Sequence, residues 1–306
     1  MTYEFAEAGA ALVASARVAG AHSIAVVGTS KNAGKTVAVG GICEALERAG
    51  ERLGICSIGR DGEAADALDG APKPRFFLRE GVAFATASSL VPRSPAAEIT
   101  SLTAETTALG PVVLGRVRAP GFIQLAGPPS AAAVRRVAGA LAADGRFVVL
   151  DGAVDRIAVL RDGDDAIVVA VGAAGAPTMQ RAVNDVAALV GRLALRRFDP
   201  SRAAIRIEGA LTAVAAAAFA HAGERRQIVV RDGTHVAFGG SAFSEFSARL
   251  DLRCERELRP LACTVAPRSA ERSFPPRAFA CAVAARTGLP AYDFFAGTVA
   301  RPPARA

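Results

Sequence analysis

The chain has 306 residues, 51% hydrophobic and 21% charged, with 5 cysteines and a formal net charge of +7. That length allows two domains or one large one, and the composition is globular rather than disordered. No apolar run reaches the about 18 residues of a membrane-spanning helix, and a start with Glu4 and Glu7 but no basic leader does not read as a signal peptide.

Residues 5–19 predict an Ala-rich helix. Residues 23–27, Ser-Ile-Ala-Val-Val, form a short β-branched run that predicts a buried parallel strand. Next come Gly28, Thr29, Ser30, Lys31, Asn32, Ala33, Gly34, Lys35 and Thr36, which fit G-x-x-x-x-G-K-[ST], the phosphate-binding P-loop pattern. Residues 35–48 follow as a helix with Val39, Ile42 and Leu46 on one face. Strand, Gly-rich loop and helix is the order this motif requires. Backbone N–H groups of the loop and the helix N-terminus would face phosphates, Lys35 would reach the β- and γ-phosphates, and the Thr36 hydroxyl would bind Mg²⁺. Of 36 basic residues only Lys31, Lys35 and Lys73 are lysines. A compact ammonium fits between phosphates where a planar guanidinium does not, so a lysine at 35 in an Arg-rich chain is informative.

A second strand is expected at 52–58, ending in Gly59-Arg60-Asp61-Gly62-Glu63, and two short ones at 75–78 and 82–86. Residues 95–108, rich in Thr and Glu, read as a polar loop or short helix near the active face. Residues 112–117 and 122–125 flank Arg118-Ala119-Pro120-Gly121, a Pro-Gly turn that suggests a hairpin. Ser130 caps a helix to about residue 143. Residues 147–150, Phe-Val-Val-Leu, end in Asp151, the Walker B form, in which the carboxylate at a strand's end holds Mg²⁺ directly or through water.

A strand at 166–171 and a long helix at 178–195 precede Asp199-Pro200-Ser201, the best boundary signal. Strands at 205–207, 227–230, 236–238 and 260–265 then alternate with helices at 212–222, 241–249 and 277–286, and the last twelve residues are expected to fray. The class is α/β with a mainly parallel sheet flanked by helices. The expected division is a nucleotide-binding domain over 1–200 and a smaller α/β portion over 201–306.

Cysteines 43, 56, 254, 263 and 281 form no C-x-x-C and no cluster with His22, His221 or His235, so they read as small hydrophobes of a reducing cytoplasm. Residues 201–306 hold 15 Arg against 9 acids, yet without aromatic interleaving or long basic runs. A solvated Arg-rich surface is expected there, not a nucleic-acid face.

The loop 28–36 resembles that of dethiobiotin synthetase and of the cobyric acid and cobyrinic acid amide synthases, which begin it with Gly-Thr and end it with Gly-Lys-Ser/Thr. In that P-loop group an Asp after the second strand sits near Mg²⁺ and the γ-phosphate, and Asp61 matches that place. Leu150-Asp151-Gly152-Ala153 is similar to the Glu-Gly-Ala-Gly stretch of dethiobiotin synthetase, but Val154-Asp155-Arg156 departs from it and puts carboxylation in doubt. There is no N-K-x-D sequence for guanine, so ATP is the expected nucleotide.

A wider resemblance covers loop 28–36, Gly59 to Glu63, Arg116 to Pro128 and Asp151 to Arg156. Together these look like the P-loop subunit of the lysine 5,6-aminomutase reactivase. The resemblance implies ATP-driven release of damaged cobalamin from an adenosylcobalamin-dependent aminomutase, with a MutS-like ATPase as second subunit. The competing expectation is an ATP-dependent synthetase that phosphorylates a carboxylate, with Arg116, Arg118 and Gln124 as substrate contacts. A third is a nucleotide-binding regulator, against which stand the intact Lys35, Thr36, Asp61 and Asp151. Lys31 leaves a homodimer open, although it stands at a different loop position from the lysine that bridges MinD-like dimers. His221 reads as a helix-end residue, and His235, beside Asp232 and Thr234, as a turn residue.

Overall fold

A computed structural model describes residues 3–57, 75–93, 96–152 and 165–303. They fall into two compact units. The first takes its residues from Met1–Gly28, Gly34–Leu160 and Phe294–Gly297, the second from Thr29–Ala33, Arg161–Asp293 and Thr298–Ala306. Thus β9 (Asp165–Gly172) and α4 (Met179–Leu193), which precede residue 200, lie in the second unit.

In the first unit, α1 (Tyr3–Val18), β1 (Ser23–Gly28), α2 (Lys35–Arg48), β2 (Leu53–Ser57), β3 (Arg75–Leu78) and β4 (Ala83–Ala87) come first. Then follow β5 (Ala97–Thr107), β6 (Gly110–Val117), β7 (Gly121–Gln124), α3 (Ala131–Ala142) and β8 (Phe147–Asp151). The strand order is β1-β8-β2-β4-β6-β5. The first four run parallel, and β6 and β5 are antiparallel additions. The side chains of β1 and those of β8 before Asp151 are buried, as strands covered on both faces require. Helix α2 packs on β1 and β8, α3 on β2 and β8, and α1 on α2. Ser130 caps α3 by accepting the Ala133 N–H at 3.2 Å.

The second unit holds β9, α4, β10 (Ala204–Arg206), α5 (Ala213–His221), β11 (Gln227–Val230), α6 (Gly240–Arg249) and β12 (Leu252–Cys254). It continues with β13 (Arg259–Ala266), α7 (Pro276–Thr287), β14 (Ala291–Asp293) and β15 (Thr298–Ala300). Strands β9, β13 and β14 are parallel, and β15 returns antiparallel on β14. A separate parallel layer, β10-β11-β12, packs α5 and α6 around Leu211, Ile228, Phe243 and Phe246. The fold is α/β with mainly parallel sheets flanked by helices.

Four local expectations fail. Residues 95–108 are not a loop or helix, because Ala97–Thr107 is an eleven-residue strand. It pairs only with β6 and has irregular register, and the hydroxyls of Thr100, Thr103 and Thr107 donate to the β6 carbonyls of Leu114, Val112 and Gly110. Its polar composition is that of an edge. The Pro-Gly turn does not make a hairpin: β6 pairs with β4 and β5, while β7 pairs with β3, setting Phe76 opposite Ile123 and Phe77 opposite Phe122. Residues 236–238 give only a bridge between Leu211 and Val236. The expected frayed end instead carries β15 on β14.

Candidate functional site

Helix α2 starts without a side-chain cap. Gly34 occupies the N-cap position at φ 90, a left-handed conformation a side chain would strain, and its carbonyl accepts the Ala38 N–H at 3.1 Å. Asn32 is the one non-glycine residue with positive φ among the described residues, at 59. The first turn of α2 carries no acid, so its positive dipole end stands unopposed.

Residues 29–33 pack with the second unit. There the Thr29 N–H donates to the Ala170 carbonyl at 2.9 Å, at the end of β9. A Cβ on Gly172 would stand 3.1 Å from the Ala33 Cα, and one on Gly175 would stand 2.0 Å from the Ser30 Oγ. These two glycines, invisible as site residues in the sequence, let the chain after β9 lie directly against the loop. The only signal was Gly-Ala-Ala-Gly at 172–175 closing an apolar run. Ser30 donates to the Lys31 carbonyl at 3.1 Å, and Lys31 is exposed.

In the first unit, Asp151 ends β8 with Val26 of β1 on one side and Ser57 of β2 on the other. The Gly152 N–H donates to the Val26 carbonyl at 2.8 Å, and Ser57 Oγ donates to the Asp151 carbonyl at 3.4 Å. The acid therefore lies at the carboxyl end of the strand hydrogen-bonded to the one that opens the P-loop, where parallel α/β sheets bind ligands. Burial pushes the Asp151 carboxyl up to about 6, and the Lys35 ammonium pulls it back down. Burial likewise lowers Lys35, and Asp151 raises it. A desolvated lysine and a desolvated carboxylate thus share one neighbourhood, each only partly compensated by the other.

That chemistry fits Mg²⁺ with a nucleotide. A hydroxyl at 36 and a carboxylate at 151 are hard oxygen donors, and Lys35 and the α2 N-terminus carry the positive charge that phosphates would need. Among the described residues no group of three or more His, Cys, Asp or Glu could hold a metal by itself. Asp61, with Gly59 to Glu63, and Ala153 to Arg156 lie outside the described residues.

The three expected substrate contacts do not gather at the P-loop. Arg116 sits opposite Ala83, at the amino end of β4. Asp151 and Ser57 mark the carboxyl end of the same parallel set. Arg118 is held by Glu98 at 2.6 Å. Only Gln124 is near the carboxyl end of β4, where its carbonyl accepts the Thr86 hydroxyl at 2.9 Å. Arg75 is among the residues that do share a cavity with Thr36. It is exposed, and the 280 Å³ groove runs along α2 past Gly40 and Glu44 to Phe77 and Arg79. Phe77 and Phe122, both more than half exposed, meet edge to face at 5.3 Å on the adjoining β3–β7 ribbon.

His235 is a turn residue of the second unit, its Nδ1 3.1 Å from the buried Asp232, which also accepts from Arg256 at 2.6 Å. His221 is the last residue of α5. Four cysteines are buried, and burial pushes the thiols of Cys56, Cys254 and Cys263 up to about 12; Cys281 is exposed. No helix of the described residues is long and apolar enough to cross a membrane.

Compared with protein-family models, curated proteins and solved structures, the chain gives no match.

Proposed function

We propose that the protein is a Mg²⁺-dependent P-loop ATPase whose turnover is completed by a protein partner. The observation that carries this reading is Asp151 at the carboxyl end of β8, hydrogen-bonded beside the P-loop strand and electrostatically coupled to Lys35. The roles follow from the residues. Lys35 and the N–H groups at the start of α2 bind and orient the nucleotide phosphates, and the Thr36 hydroxyl and Asp151 carboxylate hold the metal. Mg²⁺, when bound, neutralises charge that develops on the transferred phosphoryl group.

The finer reading, from the resemblance, is the P-loop subunit of a reactivase for an adenosylcobalamin-dependent aminomutase, acting with a MutS-like ATPase. Two features favour partner dependence over the synthetase alternative. The cavity beside Thr36 is an open groove rather than a closed substrate pocket, and it adjoins the exposed Phe77–Phe122 pair. Exposed aromatics are the residue type that anchors protein partners.

The test is ATP hydrolysis by wild type and Lys35→Ala, each alone and with the aminomutase and its MutS-like partner. Slow intrinsic turnover, stimulated by the partners and reduced about a hundredfold in Lys35→Ala, is expected. Hydrolysis that ignores both proteins would overturn partner dependence. Hydrolysis that ignores Lys35 would overturn the P-loop reading itself.

A further inference from the structure

We propose a second anion site in the first unit, at the amino-terminal edge of its parallel strands, which binds a small multiply charged oxyanion such as a phosphate-bearing metabolite. A cavity of about 250 Å³ opens there between β5, β6 and the end of α3, lined by Thr100, Ser101, Arg116, Leu141, Asp144 and Arg146. It is the opposite end of the sheet from Asp151: Arg116 faces Ala83 at the start of β4, and Asp144 and Arg146 directly precede β8. With a rise of about 3.3 Å per residue, the length of β4 alone separates the two edges by roughly 13 Å.

The charge is unbalanced. Asp144 is ion-paired with Arg146, and Arg146 is the more buried of the two. Arg52 reaches the same place, because its guanidinium would stand 3.3 Å from a Cβ on Gly145. The Arg146 hydrogen bond holds the Asp144 carboxyl well below the usual range, and Arg52 and Arg116 add to the pull. Three guanidiniums therefore surround one carboxylate. Glu98 stands opposite Arg116 in the β5–β6 register, but it is engaged by Arg118 at 2.6 Å. Neither Arg52 nor Arg116 makes an ion pair or side-chain hydrogen bond with another described residue. The negative end of α3 offsets about half a charge. Excess positive charge remains beside a cavity with a half-buried guanidinium and the exposed hydroxyl of Ser101 on its wall. Guanidinium forks with a hydroxyl donor match a phosphate or polycarboxylate.

The probe is pyrophosphate, followed by titration calorimetry at low salt. Because a P-loop also binds pyrophosphate, the titration uses the full chain carrying Lys35→Ala. One binding event is expected to persist. Adding Arg52→Gln and Arg116→Gln is expected to weaken it at least about tenfold, and Arg116→Lys to weaken it less. If the double variant loses its thermal transition, Ser101→Asp takes its place, since it sets a like charge at an exposed position of the same wall. It should weaken binding by a similar factor. Absence of binding to the Lys35→Ala chain at millimolar pyrophosphate would overturn the site, as would an affinity that none of these substitutions moves. Either result leaves the ATPase reading standing, because that reading is tested on Lys35 alone.

Discussion

Asp151 combines two demands that oppose each other. Binding a metal at neutral pH needs a carboxylate, yet its position at the end of a buried strand favours the neutral acid, pushing it up to about 6 from 3.8. Between those two values the folded protein without ligand holds more protons than the unfolded chain. The contribution of Asp151 to stability therefore falls as the pH rises from about 4 to about 6, and the protein is fully free of this penalty only below the unfolded value. Thermal melts of the nucleotide-free protein across that range should show a less favourable pH trend than those of Asp151→Asn, because the carboxylates held low by arginines, Glu224 among them, add stability as the pH rises in both. A wild-type midpoint that rises over this interval, with the same rise in Asp151→Asn, would mean that Asp151 is not the desolvated acid described. Mg²⁺-dependent nucleotide binding should follow the opposite direction and weaken as the pH falls through about 6, because the protonated acid no longer attracts the cation.

Among elements, legibility tracked how much of the structural reason is local. Helix α2 was readable to the residue, because the P-loop signature and the helical periodicity start together at Lys35. Helix α3 announced itself through Ser130, whose hydroxyl accepts an N–H of its first turn, and Thr178 does the same for α4. The closeness of Lys35 to Asp151 was hinted at by two separate motifs, each of which contains one of them. Pairing partners were not accessible, because register is a long-range property. Nothing at Pro120-Gly121 says that β7 will leave β6 and join β3. Strand β5 was hidden because its threonines satisfy carbonyls of β6, which the sequence alone cannot display. Gly115 shows the same limit. In the sequence it is an interruption of a strand, while in the fold it makes room for Phe84, whose ring atoms would lie 2.3 and 2.7 Å from an added Cβ, with the Glu98 carbonyl at 2.8 Å. Phe84 is fully buried and has no free volume to retreat into. Gly115→Ala should cost about 1–3 kcal/mol by overpacking. Urea unfolding would measure it, and a midpoint equal to wild type would mean that Phe84 has another rotamer at little cost.

At the scale of the whole molecule the net charge of +7 raises the question of a polyanionic partner, sharpened by 15 arginines against 9 acids after residue 200. Six of those arginines are committed to acids of the same unit. Arg202 and Arg253 both engage Asp251, Arg206 engages Glu255, Arg226 engages Glu224, Arg249 engages Glu245 and Arg256 engages the buried Asp232. Arg206 also lies 4.6 Å from the Phe198 ring centroid. A duplex-binding surface instead presents several uncommitted cations along a stripe, and each phosphate contact adds to a steep salt dependence. The expected result with a fluorescent DNA duplex is weak polarisation change at low salt and no saturable binding at about 0.15 M, where exposed charges are screened beyond about 8 Å. Saturable binding at that salt, falling linearly in log–log form as salt increases, would identify a cationic stripe and replace this reading with a nucleic-acid-dependent ATPase.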